Sequence, residues 1–158
     1  MEVIGGDIGG TKTRLGLFEI TGRGITKLGE RTYAGAASAG LAEIATAFLA
    51  EMGAACERAA FAVAGPVDGR TARTSNLPWR IDADEMERDL ALPRVYLLND
   101  LEAVAYGLHY LGEEDLLTLN PGMPGATATF AAKGIARGAA CEPVRGAAGV
   151  DRDGGDAG

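Results

Sequence analysis

Two short runs in this chain combine residue types that handle phosphates and hydroxyls. The first is Gly5-Gly6-Asp7-Ile8-Gly9-Gly10-Thr11-Lys12-Thr13. Glycines packed this densely let a backbone approach a phosphate closely, with N–H groups free to point at its oxygens. Asp7 stands just before the bend. Its carboxylate can hold Mg²⁺, directly or through water, beside phosphates approached by Gly9, Gly10 and Thr11; equally, it can be the aspartate of a tight turn. The second run is Asn99-Asp100, which follows the apolar stretch Val95–Leu98. An aspartate there can accept a proton from a substrate hydroxyl, while the asparagine fixes hydroxyl geometry with its donor and acceptor. The same pair is also what any helix start prefers as an N-cap.

The elements around these runs decide which device the glycines form. A Walker-type phosphate loop needs a glycine directly before the lysine and a helix directly after it. Here Thr11 precedes Lys12, and Arg14–Ile20 alternates as a strand does. The spacing therefore predicts a β-hairpin, with strand Glu2–Ile8, turn Gly9–Lys12 and strand Thr13–Ile20. Gly22-Arg23-Gly24 turns the chain into a third strand, Ile25–Tyr33. Ser38 is placed to cap a helix from Ala39 to about Met52, with Leu41, Ile44, Phe48 and Leu49 on one face and Gly53 at its stop. Ala59–Ala64 reads as a buried strand ended by Gly65-Pro66, and Arg70–Thr74 as a short one. Asp82 with Glu85 starts a short helix, Ala83–Leu90. Strand Arg94–Leu98 then leads into helix Asp100–Leu111, with Leu101, Val104, Ala105 and Leu108 at core spacing. Asn99-Asp100 thus falls beyond the carboxyl end of a strand, where open α/β sheets bind ligands.

Other residues carry less. Gly65-Pro66 with Gly69 reads as a strand-ending turn. Trp79, the only tryptophan, suits the core better than a sugar-stacking role, although Asn76 beside it is polar. Lys12 can add charge to a phosphate site or simply be solvated. His109, the only histidine, reads as a surface helix residue; one histidine excludes a His cluster for a metal, and no serine motif supports a hydrolytic triad. Cys56 and Cys141 lack metal spacing and suit a reducing cytoplasm. A net charge of −7 with no basic stripe argues against a nucleic-acid partner. No apolar run approaches the roughly 20 residues that span a bilayer, and Met1 leads straight into a strand without a signal-peptide pattern.

Past Leu111 the pattern thins. Asp115–Asn120 reads as one more strand, and Pro121–Gly125 is a turn-rich break. About half of residues 126–158 are Ala or Gly. Such a composition buries too little to offset ordering entropy and predicts a largely disordered tail. Its style also resembles an out-of-frame reading of a GC-rich gene.

The runs in combination, GDIGGTKTR, AVAGPVDG, TSNLPW and LLNDLEAVAYG, resemble bacterial glucokinases of the sugar-kinase/actin/heat-shock ATPase superfamily, nearly continuously over residues 2–120. The resemblance implies a ribonuclease-H-like small α/β domain, a mixed sheet with flanking helices, over residues 1–110. Residues 111–125 would begin a second lobe that is otherwise largely missing, ahead of the 126–158 tail. It implies ATP and Mg²⁺ as cofactors, with Gly6, Asp7, Ile8, Gly9, Gly10 and Thr11 at the ATP phosphates and Asp7 near Mg²⁺. Asp100 would be the catalytic base for the sugar 6-hydroxyl. Asn99 and Asp100 would bind the substrate, glucose or a similar hexose, with Asn76 at the rim of its cleft. Relatives of this kind often dimerise, so the resemblance allows a homodimer, in the cytoplasm.

Such a kinase is about twice as long. Its larger lobe supplies a second Gly-Thr-Gly hairpin, sugar-binding glutamates, a histidine and the adenosine pocket, and no Gly-Thr-Gly follows Gly125 here. Its small domain is completed by a returning C-terminal helix, whose loss would expose an apolar sheet face. Phosphoryl transfer rests on positioning between two lobes, so the expectation is a glucokinase fragment with little or no activity alone. The alternative is a non-catalytic remnant that binds a sugar or a partner weakly. A phosphatase or acetate-kinase-like relative would use the same hairpin, but TSNLPW with Asn99-Asp100 suits a hexose site better.

Overall fold

A computed structural model describes residues 1–35, 38–115 and 117. Residues Met1–Ala103 form one compact unit, and the chain from Val104 onward belongs to another. The first unit is built on a five-stranded mixed sheet. Strands β1 (Glu2–Ile8), β2 (Lys12–Thr21) and β3 (Gly24–Ala34) form an antiparallel meander. β4 (Arg58–Val63) and β8 (Val95–Asn99) add on the other side of β1, both parallel to it, in the order β3-β2-β1-β4-β8. This is the mixed sheet with flanking helices that the sequence resemblance implied. Between β4 and β8 lies a small antiparallel sheet of β5 (Val67–Asp68), β6 (Thr71–Arg73) and β7 (Arg80–Asp82). Only its middle strand was legible from the sequence, because strands of two or three residues carry no periodicity.

Alternation along the strands sorts the sheet into two faces. Ile4 and Ile8 of β1, Leu15 and Leu17 of β2, Phe61 and Val63 of β4 and Val95 of β8 are buried on one face. Among their neighbours in sequence, Asp7, Arg14, Ala60 and Tyr96 are exposed. Helix α1 (Leu41–Met52) joins the buried cluster through Leu41, Ile44 and Phe48. Each large side chain so buried contributes on the order of 1.5–3 kcal/mol relative to exposure. Ser38 does not cap this helix. Gly40 is the N-cap with no side-chain bond, and Glu43 reaches back to accept from the Ala39 N–H at 2.9 Å. A carboxylate of the first turn thus ties down the residue before the cap, and among the described residues no side chain caps the first-turn N–H groups. At the other end Gly53, at φ 60°, takes the left-handed turn foreseen, and the Ala54 N–H donates to Leu49 O.

Helix α2 (Ala83–Asp89) starts as its sequence dictates. The Asp82 carboxylate accepts from the N–H groups of Asp84 at 3.0 Å and Glu85 at 3.2 Å, and these bonds hold its pKa below the ordinary range. Met86 turns into the core beside Ile81 and Leu92. Glu87 accepts from the Val95 N–H at 2.9 Å and from Arg70 at 2.6 Å, so α2 is tied both to the first residue of β8 and to the β5–β6 hairpin.

Helix α3 (Asp100–Gly107) follows β8 directly and gives way to a 3₁₀ turn at Leu108–Tyr110. The single helix expected to Leu111 is therefore shorter, since Gly107 is a poor helix former. Its expected core face is also not realised. Leu101, Ala105 and Leu108 are half-buried, and Val104 is exposed. Glu113–Asp115 forms another 3₁₀ turn, so Asp115 does not open a strand. Most of the strand expected at Asp115–Asn120, and the 126–158 tail, lie outside the described residues. Among the described residues no helix is long and apolar enough to cross a membrane.

Candidate active site

The three parallel strands β1, β4 and β8 end level with one another. Ile8, Val63 and Asn99 occupy one register row across the sheet. Immediately beyond that row lie the Gly9–Lys12 turn, the Ala64-Gly65 corner and the start of α3. The topology thus gathers both sequence runs at the carboxyl ends of the strands, where an α/β sheet offers its ligand site.

The turn after β1 is closed by one main-chain bond, from the Gly9 N–H to Lys12 O at 3.0 Å. Thr11 O accepts from the Gly35 N–H at 3.0 Å. Among the described residues the N–H groups of Gly10 and Thr11 donate to no backbone acceptor, which leaves them as donors for an anion. Gly10 lies flat against Asn76: a Cβ there would meet the Asn76 side chain, with its Cβ only 2.9 Å away. Of the candidate phosphate residues, Gly6 and Ile8 sit inside β1, paired on both sides. Gly6 leaves room for Phe61 and Leu15, and the Ile8 side chain is fully buried. They shape the turn from below, while Gly9, Gly10 and Thr11 present it. Asp7 is exposed opposite Arg14, on the sheet face away from the core.

The junction between β8 and α3 is organised by side chains. Asn99 Nδ2 donates to Gly65 O at 3.0 Å, and its Oδ1 accepts from the Leu101 N–H at 3.0 Å. Asn99 is therefore the N-cap of α3, with the cap bond at the usual N2 position. Asp100 Oδ1 also accepts from the Leu101 N–H at 3.0 Å. An asparagine amide has two N–H donors and two lone pairs on its oxygen. After these bonds one N–H and one lone pair of Asn99, and the Oδ2 of Asp100, remain for a ligand. The capping and chemical readings of this pair are thus compatible.

A hydrogen-bonded loop links the two halves. Ser75 is bound to Ala64 O through both its N–H (3.1 Å) and its hydroxyl (3.0 Å), while the Ala64 N–H donates to Ile8 O. Thr74 Oγ1 donates to Leu77 O at 2.7 Å, and Trp79, 7% exposed, anchors the loop in the core. Trp79 is thus a packing residue, as expected from the sequence. Gly65 fits only because it has no side chain, since a Cβ there would collide with the main-chain carbonyl of Arg73. Neither the Gly10–Asn76 contact nor the Asn99–Gly65 bond left a local sequence signal, because each joins residues far apart in the chain.

Lys12 is exposed at the start of β2, and His109 lies in the 3₁₀ turn after α3. Burial, with help from Glu2, pushes the Cys56 thiol up to about 11, so it is no nucleophile at neutral pH. Among the described residues no three His, Cys, Asp or Glu side chains gather as a metal cage. A cation here would rest on Asp7 with phosphate and water oxygens, the mode in which Mg²⁺ is ordinarily held.

Comparison with known proteins converges on one group. The family model described as glucokinase matches residues 4–139. A glucokinase of Nostoc punctiforme is 38% identical over 124 residues, spanning 77% of this chain and 36% of that protein. Among solved structures, a glucokinase from an Antarctic psychrotroph superposes with a TM-score of 0.69 at 24% identity, over 77% of this chain and 39% of the other. A ROK-family glucokinase from Streptomyces griseus, solved in complex with glucose and AMPPNP, gives 0.55 at 28% identity, over 69% and 36%. The chain thus spans well under half the length of the proteins it matches.

Proposed function

The chain belongs to the glucokinase family, and from that premise we propose that it carries one half of an ATP-dependent glucose kinase site. The observation that supports this most directly is the convergence of a turn with two unused N–H donors and an Asn-Asp pair with unused polar atoms at one row of strand ends. In this reading Asp100 takes the proton from the glucose 6-hydroxyl as that oxygen attacks the γ-phosphorus. The O6–P bond forms while the bond from phosphorus to the β,γ-bridging oxygen breaks, and ADP departs with the electron pair. Asn99, with its spare N–H and lone pair, orients neighbouring hydroxyls, and Asn76 stands at the rim. The N–H groups of Gly10 and Thr11 bind phosphate oxygens. Asp7 would hold Mg²⁺, which supplies charge neutralisation for the phosphates when bound.

The described residues provide phosphate donors from one turn only. Transfer needs charge stabilisation around the whole phosphoryl group, so this chain is expected to bind both ligands weakly and to turn over little. The reading places it in the cytoplasm, where ATP is supplied, and allows a homodimer.

Titration calorimetry with glucose and with ATP-Mg²⁺, on the purified chain, tests the reading. Binding of both is expected, with Asp100→Asn leaving ATP binding intact. Failure to bind either ligand would leave a remnant without the proposed site. Turnover comparable to full-length relatives in a coupled assay would refute the expectation of low activity.

A further inference from the structure

The 74–79 loop touches the glycine turn as well as the hexose side of the site. Its Asn76 packs on Gly10 so closely that no side chain fits between them. Its Leu77 packs in the same way on Gly35, where a Cβ would come within 2.7 Å of the leucine Cδ1. Gly35 in turn donates to Thr11 O. Gly10 and Thr11 are thus braced, one directly and one through Gly35, by two adjacent residues of a single loop. The loop itself is held by the two Ser75 bonds to Ala64 O, the Thr74 bond to Leu77 O and the buried Trp79. The turn has little to hold it otherwise, since one main-chain bond closes it and its glycines impose no conformation.

We propose that Asn76 is a positioning residue that seats the Gly9–Thr11 turn, keeping the Gly10 and Thr11 N–H groups aimed outward for phosphate. The inference rests on the reading of that turn as a phosphate cradle and adds a role to Asn76 beyond the hexose rim. A displacement of the loop on the sugar side then alters the shape presented to the nucleotide, because the contact is steric and leaves no slack.

Amide hydrogen exchange on the ¹⁵N-labelled full chain tests this, because the Gly9 N–H is the bond that closes the turn. Asn76→Gly should speed Gly9 exchange about tenfold or more while the amides of Leu17 and Phe61, which report the intact sheet, keep their protection. Gly10→Ala should loosen the turn as well, and Asn76→Gly combined with it should relieve that effect by removing the obstructing side chain. Asn76→Asp keeps the shape, so Gly9 protection should persist, while Mg·AMPPNP binding weakens because a carboxylate now faces the phosphates. Unchanged Gly9 exchange in Asn76→Gly, or a Gly10→Ala effect that the second substitution leaves untouched, overturns the role of Asn76. A wild-type chain that binds no Mg·AMPPNP overturns instead the phosphate reading on which the inference rests.

Discussion

At the end of β1 the chain turns on main-chain contacts and packing, whereas at the end of β8 it is fixed by side chains. The Gly9–Lys12 turn has a single closing bond and a glycine laid against Asn76. The junction ties Asn99 to Gly65 O and to the Leu101 N–H, and Asp100 to that same N–H. The first arrangement keeps N–H groups in reserve, which suits an anion that many backbones can bind. The second puts two side chains on the helix start and leaves polar atoms of both unused, which suits the hydroxyl proposed for that place. A region held by shape fails when atoms are added to it. One held by hydrogen bonds fails when atoms are removed.

The sharpest way to break this contrast is Gly65→Ala, because Gly65 belongs to both modes. Its missing side chain makes room for the Arg73 carbonyl, and its own carbonyl anchors Asn99. A main-chain obstruction cannot rotate aside, so a loss of about 3 kcal/mol is expected in urea unfolding, the upper end of overpacking costs. A loss below about 1 kcal/mol would show that the corner yields and that shape does not limit it. Asn99→Ala comes next. It removes an N-cap and leaves the Gly65 carbonyl without its donor, for a combined loss of about 2 kcal/mol. A denaturation midpoint equal to that of the unsubstituted chain would mean that the junction is held by something other than this amide. The smallest effect is expected at Thr13, on the strand leaving the turn. Its side chain is fully buried and its hydroxyl has no partner among the described residues. Thr13→Val should be neutral or stabilising by up to about 1 kcal/mol, since it removes an unmet polar group at constant shape. A clear destabilisation would show that the turn side of the site also relies on a side-chain hydrogen bond.

What the sequence revealed follows the range over which each cause acts. β1 and β2 were legible from alternation broken by Gly9-Gly10, and α2 from Asp82, whose cap bonds lie within three residues of it. Asn99 was legible as a cap for the same reason. Ser38 misled because a hydroxyl near a helix start is only a local preference, and the helix starts later, at the N-cap Gly40. Val104 misled because helical spacing states which residues share a face and not whether anything covers that face. The candidate site was legible as two runs, whose meeting only the family resemblance implied and no local pattern did. Gly10 with Asn76, and Gly65 with Arg73 and Asn99, are products of the sheet order, which no local pattern encodes.

That sheet order also sets a sequence of events in time. The β1–β2–β3 meander pairs neighbours along the chain, so it has little loop-closure cost and can form early, whereas β1–β4 and β4–β8 join distant segments. Asn76 follows Gly10 by roughly 65 residues. At ribosomal speeds of about 5–20 residues per second, the hairpin emerges roughly 3–13 seconds before the loop that seats its turn. During that interval the glycine turn exists as a loose bend on an otherwise formed ribbon. It takes its working shape only when the second half of the domain is synthesised and docks against it.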